Sequence, residues 1–169
     1  MYKKACVNVG DLSKALEVRA AMQAAGVSPN VGTFNALIVA YDNAGDLGKA
    51  LEVRAEMKAA GVSPTVSTFN TLITACDNAE DLDKALEVRA AMQAAGVKPN
   101  VGTFNALLRM CDNVGDFGKA LEVRAAMKAA GVKPNVGTFN ALLTACDNAG
   151  DLGRALEVLA ETKAAGGQP

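Results

Sequence analysis

The chain has 169 residues, of which 50% are hydrophobic and 4% aromatic, and its formal net charge at pH 7 is −1. This apolar content argues against disorder, and the near-neutral charge provides no strong overall field to attract nucleic acid or a membrane surface. No apolar run approaches the length of a membrane span, so we expect no membrane partner. Alanine supplies much of the apolar content, which favours packed helices over strands.

Proline and glycine recur along the chain with a period of 35 residues. Every proline follows this period, and a glycine stands three residues before each one. The prolines are Pro29, Pro64, Pro99, Pro134 and Pro169. A period in this range is typical of stacked supersecondary units. We therefore interpret 1–169 as a single repeat array: a partial repeat 1–30, full repeats 31–65, 66–100 and 101–135, and a C-terminal repeat 136–169.

The first half of the repeat 31–65 predicts an amphipathic helix. Its apolar residues recur at helical spacing and are Phe34, Leu37, Ile38 and Tyr41. Thr33 is the predicted N-cap of this helix. Gly45 is predicted to end it in a left-handed turn.

The second half of the same repeat predicts another helix, which opens after Asp46 as N-cap and ends at Gly61. Its apolar stripe consists of Leu47, Ala50, Leu51 and Met57. Pro64 prevents the helix from continuing. Each repeat is thus predicted to be a helix–turn–helix unit, and the fold class to be all-α.

The cysteines follow the same period, on the predicted apolar face, at Cys6, Cys76, Cys111 and Cys146. Stacked helices lie about 8–10 Å apart, whereas a disulfide requires Cα atoms within about 7 Å. We expect the cysteines to be small buried hydrophobes in a reducing compartment, without disulfides and without a metal site.

Nothing in the sequence predicts catalysis. The chain has no histidine to act as a base near neutral pH. No serine or cysteine stands beside a plausible activating partner, and no glycine-rich phosphate loop follows a strand. We therefore predict a protein that is not an enzyme and has no cofactor.

An arginine interrupts the apolar stripe of the predicted second helices, at Arg19, Arg54, Arg89 and Arg124. A fully buried, unpaired guanidinium is not tolerated. We expect each stem to pack while its head reaches a carboxylate, with Asp42, Glu52 and their counterparts as candidates.

The repeat "VGTFNALI…AGDLGKALEVRAEMKAAGVSP" closely resembles the pentatricopeptide repeat. The matching features are the "TFNALI" opening, the "AGDL" turn, the "ALEV…M" second helix and the "GV-x-P" close, and the resemblance extends over essentially the whole chain. It implies a right-handed α-solenoid, a superhelix of about four repeats plus a partial N-terminal one, that binds single-stranded RNA with one base per repeat. The family also suggests a mitochondrial or chloroplast location, although the start "MYKKACVNVG" lacks the character of a transit peptide.

The resemblance further implies which residues read the bases. One is the residue after the aromatic of the first helix, here Asn35, Asn70, Asn105 and Asn140. The other is the residue after the terminal proline, here Thr65, Asn100 and Asn135, preceded by Asn30, whose partner would lie upstream. Such asparagine pairs are implied to prefer pyrimidines, cytidine before uridine. The implied partner is pyrimidine-rich RNA of about three to four nucleotides.

The charges on this face predict weak binding. Around the first helices, the asparagines share their side with one cation, Arg109, and with four aspartates, Asp42, Asp77, Asp112 and Asp147. Asparagine also stands where the family usually has a phosphate-contacting lysine, at Asn43, Asn78, Asn113 and Asn148. Phosphate contacts supply most sequence-independent affinity, so a face with so few cations is expected to bind RNA weakly. Arg109 is the one candidate phosphate ligand on this face.

Two alternatives stay open. The asparagines can instead be helix-start residues that hydrogen-bond local backbone. The chain would then be a structural or protein-interaction α-solenoid without RNA, of which a self-associating solenoid and an engineered scaffold are variants.

Overall fold

The computed structural model of the chain describes residues 9–151, 153–154, 156–157 and 160. No strand occurs among them, and none of their helices is long and apolar enough to cross a membrane. The helices that they contain are, in chain order, α1 (Val9–Ala24), α2 (Val31–Asn43), α3 (Leu47–Ala59), α4 (Val66–Asn78), α5 (Leu82–Ala94), α6 (Val101–Val114), α7 (Phe117–Ala129) and α8 (Val136–Asn148). The predicted all-α fold, with helices alternating two to a repeat, is confirmed.

The chain divides into two compact units, Met1–Val97 and Lys98–Pro169. In the first unit, α2 packs against α1, α3 and α4, and α4 packs against both α3 and α5. In the second unit, α6 packs against α7 and α8, and α7 also packs against α8. Within each unit, therefore, the first helices of successive repeats lie side by side, and α2, α4 and α6 each pack against the second helix of their own repeat. The division into the repeats 1–30, 31–65, 66–100, 101–135 and 136–169 of a single array stays a prediction.

The residue after each internal proline starts a first helix. These N-caps are Asn30, Thr65, Asn100 and Asn135. At α2, the Asn30 side chain accepts from the Thr33 N–H at 3.0 Å, and the Thr33 hydroxyl accepts from the Asn30 N–H at 3.3 Å. The prediction of Thr33 as N-cap was therefore wrong, since Asn30 has the extended backbone of a cap and Thr33 closes a reciprocal capping box from inside the helix.

The second helices begin and end as predicted. Asp46 caps α3 by accepting from the Lys49 N–H at 3.0 Å. The left-handed turns occur at Gly45, with φ of +79°, and at Gly61, with φ of +74°. After Gly61, the Val62 N–H donates to the Met57 carbonyl at 2.8 Å, which satisfies a carbonyl of the last turn.

The apolar stripes form the core in both units. The aromatic residue of each described first helix is 5% exposed or less, at Phe34, Phe69, Phe104 and Phe139. Burying a side chain of this size contributes about 1.5–3 kcal/mol. The first helices α2, α4 and α6 each pack against the second helix of their repeat and against a neighbouring first helix. The stacking of repeats therefore removes the apolar stripes from water.

Three cysteines belong to this core. Cys76, Cys111 and Cys146 are buried and carry free thiols, as predicted, whereas Cys6 lies outside the described residues. Burial raises the pKa of the Cys76 thiol to about 12, and nearby Asp81 adds to this shift. Burial likewise raises the pKa of Cys111 to about 11. These thiols are therefore protonated and unreactive near neutral pH.

The arginine side chains of the second helices have different surroundings. Arg19 on α1 forms a salt bridge with Glu56 on α3, and its guanidinium lies 5.8 Å from the centre of the Phe34 ring. Arg54 on α3 is exposed and forms no ion pair with any described residue, so the predicted pairing with Asp42 or Glu52 is wrong there. Glu56, the partner of Arg19, has Ala91 as its counterpart one repeat later. Arg54 therefore has no carboxylate at the position where Arg19 finds one.

Candidate nucleic-acid interface

The residues assigned to base reading lie at the starts of the first helices. Asn35, Asn70, Asn105 and Asn140 stand one turn inside α2, α4, α6 and α8. Thr65, Asn100 and Asn135 are the N-caps of α4, α6 and α8. Both sets thus sit at the N-terminal ends of the first helices.

In the second unit, the structure brings together Asn105 and Asn135, the pair implied by the resemblance. The Asn105 Nδ2 donates to Asn135 Oδ1 at 3.1 Å. The hydroxyl of Thr138, a buried residue of α8, donates to Asn105 Oδ1 at 2.6 Å. We call Asn105, Asn135 and Thr138 the asparagine cluster. Asn105 and Asn135 belong to the repeat 101–135 and Thr138 to the next one, so the packing of α6 against α8 creates the cluster.

The hydrogen bonds of the asparagine cluster fix the orientation of both amides. Asn135 must present its oxygen to the helix, because Oδ1 accepts from the Thr138 backbone N–H at 3.0 Å. Asn105 must then present its nitrogen to that oxygen and its own oxygen to the Thr138 hydroxyl. The Nδ2 of Asn135 and the second N–H of Asn105 have no hydrogen-bond partner among the described residues. The cluster therefore offers amide donors to a ligand.

Gly137 leaves space beside the asparagine cluster. A Cβ at this position would lie 3.2 Å from Asn105 Nδ2 and 3.3 Å from Asn135 Oδ1. Here the amides themselves border the open space.

The first unit does not reproduce the cluster. Asn35 and Thr65 are not joined by a hydrogen bond, and Asn35 Oδ1 is buried without a hydrogen-bond partner in the described part of the chain. The Thr65 hydroxyl lies 3.3 Å from that of Thr68, its own capping partner. Because threonine has no amide to donate, this repeat presents a different set of polar groups.

The remaining residues assigned to base reading are Asn70, Asn100 and Asn140. Asn70 is half-buried on α4 in the first unit. Asn100 is an exposed N-cap in the second unit, where it accepts from the Thr103 N–H at 3.0 Å. Asn140 is exposed on α8, and its sequence partner would follow Pro169.

Two aspartates of the first helices, Asp42 and Asp112, are hydrogen-bonded to asparagines of the next repeat. Asp42 is 4% exposed, and its Oδ2 accepts from Asn78 Nδ2 at 2.7 Å in the first unit. In the second unit, Asp112 Oδ1 accepts from Asn148 Nδ2 at 2.6 Å. Asn78 and Asn148 thus link neighbouring first helices at positions where the family usually carries a lysine.

Arg109 is the cation that the sequence placed on this face. It is exposed on α6, one turn after Asn105, and it forms no ion pair with any residue that the structure describes. Its guanidinium is therefore available to a phosphate. Among the described residues, no group of three or more His, Cys, Asp and Glu side chains could hold a metal ion.

Sequence reasoning missed Thr138 and the role of Asn78 and Asn148. The signal for Thr138 was present, since a threonine follows each N-cap by three residues, at Thr33, Thr68, Thr103 and Thr138. The signal for the two asparagines was their constant position beside an aspartate. Neither pattern says that the partner lies on the preceding repeat, which depends on how the first helices stack.

Comparison with protein-family models places these features in one family. The pentatricopeptide repeat domain model matches residues 4–43, 66–114, 87–148 and 122–169, which is most of the chain. The chain belongs to the pentatricopeptide repeat family. A second model, the PPR repeat family, matches residues 29–78. A comparison with curated protein sequences gave no match.

Solved pentatricopeptide repeat structures have the same fold. The PPR domain of Arabidopsis thaliana protein-only RNase P 1, solved with tRNA, is 22% identical with a TM-score of 0.78, covering 97% of this chain and 86% of that one. At this identity, the likeness concerns the fold alone. The pentatricopeptide repeat protein PPR10 from maize is 31% identical with a TM-score of 0.76, and this chain spans 22% of its length. PPR10 in complex with an 18-nt psaJ RNA element is 28% identical with a TM-score of 0.70, covering 96% of this chain and 27% of that one.

Proposed function

We propose that this chain binds single-stranded RNA, one base per repeat, with a preference for pyrimidines and for cytidine before uridine. The observation that carries the proposal is the asparagine cluster, in which two amides of the repeat 101–135 are joined and each keeps an N–H without a partner among the described residues. Support also comes from PPR10, a relative that has been solved with an RNA element. The bases would stack between successive repeats.

The base preference follows from the donors of the asparagine cluster. Cytosine offers two adjacent acceptors on its Watson–Crick edge, N3 and O2. Uracil alternates acceptor, donor and acceptor, adenine offers one acceptor beside its amino group, and guanine offers one acceptor beside two donors. An array of amide donors therefore fits cytosine best, because each unmatched donor or acceptor that is desolvated costs about 1–3 kcal/mol.

The affinity is expected to be low. Phosphate contacts supply most of the affinity of RNA-binding proteins that does not depend on sequence. Arg109 is the cation placed to make one beside the cluster, whereas Asn78 and Asn148 are engaged with aspartates. The RNA partner is thus a short pyrimidine tract of about three to four nucleotides.

The decisive experiment measures fluorescence anisotropy of labelled cytidine, uridine and adenosine tracts at low salt. We expect affinity to fall in that order. The double variant Asn105→Ala with Asn135→Ser should reduce the cytidine preference by about 1–3 kcal/mol. The matched control is Asn140→Ala, at an exposed position without a cluster, which should affect the preference less.

Equal binding of all tracts would remove the base-reading role of the asparagines. A complete lack of binding at low salt would favour the rival function, a structural or protein-interaction solenoid. The observation behind this rival is that Asn100 and Asn135 both serve as N-caps, a task that needs no ligand.

A further inference from the structure

A groove opens on the second-helix side of the first unit, between α3 and α5. Its volume is about 810 Å³, and its lining includes Leu51, Val62, Phe69 and Ala91 together with Arg54 and Lys58. The two helices have no direct backbone contact with each other, so the groove separates them. A volume of this size lies within the range of about 300–1,000 Å³ that is typical of ligand clefts.

The charge of this groove is one-sided. Arg54 and Lys58 stand one turn apart on α3, both exposed, and no aspartate or glutamate belongs to the lining. Neither cation forms an ion pair with any residue that the structure describes. A ligand that enters the groove therefore meets two unpaired positive charges beside an aliphatic surface.

The chain itself shows how a carboxylate binds in the equivalent place one repeat earlier. There, Glu56 of α3 reaches across to Arg19 of α1, and the guanidinium is held over the Phe34 ring. In the groove, Arg54 and Phe69 correspond to Arg19 and Phe34. The residue that corresponds to Glu56 is Ala91, so the internal carboxylate is missing.

We propose that the groove between α3 and α5 binds an acidic peptide segment of a partner protein. A glutamate or aspartate of the peptide takes the place that Glu56 has at Arg19, and a neighbouring apolar side chain packs against Leu51 and Val62. Lys58 attracts a second carboxylate of the same segment. This interaction surface is separate from the asparagine cluster and does not depend on RNA binding.

The lining favours a peptide over RNA. Bases bound by proteins without sequence preference stack on exposed aromatic rings. The aromatic residue of this groove, Phe69, is 0% exposed and packs in the core. Aliphatic side chains beside two cations instead match a segment in which acidic and apolar residues alternate.

The second unit has a similar groove, which differs in the residue that corresponds to Glu56. Its volume is about 380 Å³, and its cations are Arg124, Lys128 and Lys133. In sequence register, the residue that corresponds to Glu56 there is Glu161, which lies outside the described residues. Of these two grooves, the one at Arg54 has an alanine, Ala91, in place of the carboxylate.

The test uses the full chain and a fluorescein-labelled, N-acetylated and C-amidated peptide of alternating Glu and Leu. Fluorescence anisotropy at low salt should show saturable binding, and a Lys–Leu peptide of the same length should not bind. The key variant is Ala91→Glu, which supplies the internal carboxylate and should weaken peptide binding by about tenfold or more. Its matched control is Ala90→Glu, which adds the same charge to the same helix at an exposed position outside the lining.

Two further measurements keep the outcome clear. The double variant Arg54→Gln with Lys58→Gln should weaken peptide binding, while circular dichroism shows that its helix content and Tm are retained. Equal effects of Ala91→Glu and Ala90→Glu, or no effect of the double variant, would overturn the proposal. A uridine tract that competes with the peptide, and whose own binding is weakened by Ala91→Glu but not by Ala90→Glu, would also overturn it by showing a site for polyanions.

Discussion

Asn135 serves both the helix that it starts and the candidate site, because its Oδ1 caps α8 while its Nδ2 points away from the cap. The two tasks can be separated by substitution. Serine retains an N-cap oxygen but has no amide, whereas alanine has neither.

We predict that Asn135→Ala lowers the free energy of unfolding by about 1 kcal/mol and that Asn135→Ser leaves it nearly unchanged. Both variants should lose the cytidine preference, because both lack the amide donor. Urea unfolding measures the first effect and anisotropy with RNA tracts the second. A cytidine preference that survives in the serine variant would mean that the Asn135 amide does not contact the base.

Arg89 is a second residue with a testable role. Its Nε is buried and has no hydrogen-bond partner in the described part of the chain, a desolvation cost that a hydrophobic residue would not incur.

Replacing Arg89 by leucine should therefore leave the free energy of unfolding unchanged or raise it by about 1 kcal/mol. Arg54→Leu is the matched control, since Arg54 is exposed and should give no such gain. Thermal and urea unfolding of both variants decide the matter. A loss of several kcal/mol in Arg89→Leu alone would show that this guanidinium is structurally required.

The buried thiol of Cys76 predicts how stability depends on pH. Above the ordinary thiol pKa of 9.0, the unfolded chain releases this proton, while the folded chain keeps it until about pH 12. The unfolded state then binds fewer protons, so the free energy of unfolding falls as the pH rises through this window, by up to about 1.4 kcal/mol per pH unit.

Cys76→Ala should reduce this slope relative to the original chain, whatever its effect on stability at pH 7. Urea unfolding at several pH values between the two pKa values provides the measurement. Identical slopes for both proteins would show that the thiol does not contribute to the pH dependence.

At the scale of single elements, the turns between the helices of a repeat differ at one position. Gly45, Gly115 and Gly150 have positive φ, but the corresponding residue of the repeat 66–100 is Glu80, with φ of +57°. A left-handed conformation costs a residue with a side chain about 1–2 kcal/mol.

We predict that Glu80→Gly stabilises the chain by up to about 1 kcal/mol, since the relief of strain exceeds the added flexibility of the unfolded chain. The reverse change, Gly45→Glu, should destabilise it by a similar amount. Chemical denaturation of the two variants gives both values. A Glu80→Gly variant that is less stable than the original would show that the Glu80 side chain makes a compensating contribution.

The elements themselves were largely predictable from the sequence. Asp46 and Gly61 mark helix ends by local chemistry, and the apolar stripes follow a period that tertiary structure does not alter. The N-cap Asn30 was missed because Asn30 and Thr33 are both good capping residues, and only the backbone shows which of them lies outside the helix.

At the scale of the whole molecule, the small number of available cations near the cluster predicts a weak salt dependence. One phosphate contact to a single strand contributes about −0.7 to the slope of log affinity against log salt.

The replacement Arg109→Gln should therefore make this slope less steep by about 0.7 and weaken cytidine, uridine and adenosine tracts alike. Lys49→Gln is a suitable control, because Lys49 is an exposed cation on a second helix, α3, and not on a first helix. Anisotropy titrations at several salt concentrations give the slope. A change in base ranking, rather than in overall affinity, would assign Arg109 to base contact.

The candidate site was only partly predictable. The resemblance named Asn105 and Asn135, but the sequence could not show that Thr138 fixes their orientation, because this depends on a contact between successive repeats. The fate of Asn78 was hidden for the same reason. An asparagine beside an aspartate in sequence pairs instead with the aspartate one repeat away.

This link between Asp42 and Asn78 has a consequence for how such a chain can change its length. Donor and acceptor are 36 residues apart both here and at Asp112 and Asn148, one position more than the repeat. Recombination that removes or duplicates a whole repeat of 35 residues would place an aspartate opposite an asparagine again at the new boundary. Chains of different length could therefore arise in a single genetic step without creating an unpaired buried carboxylate, so the number of repeats is free to vary under selection.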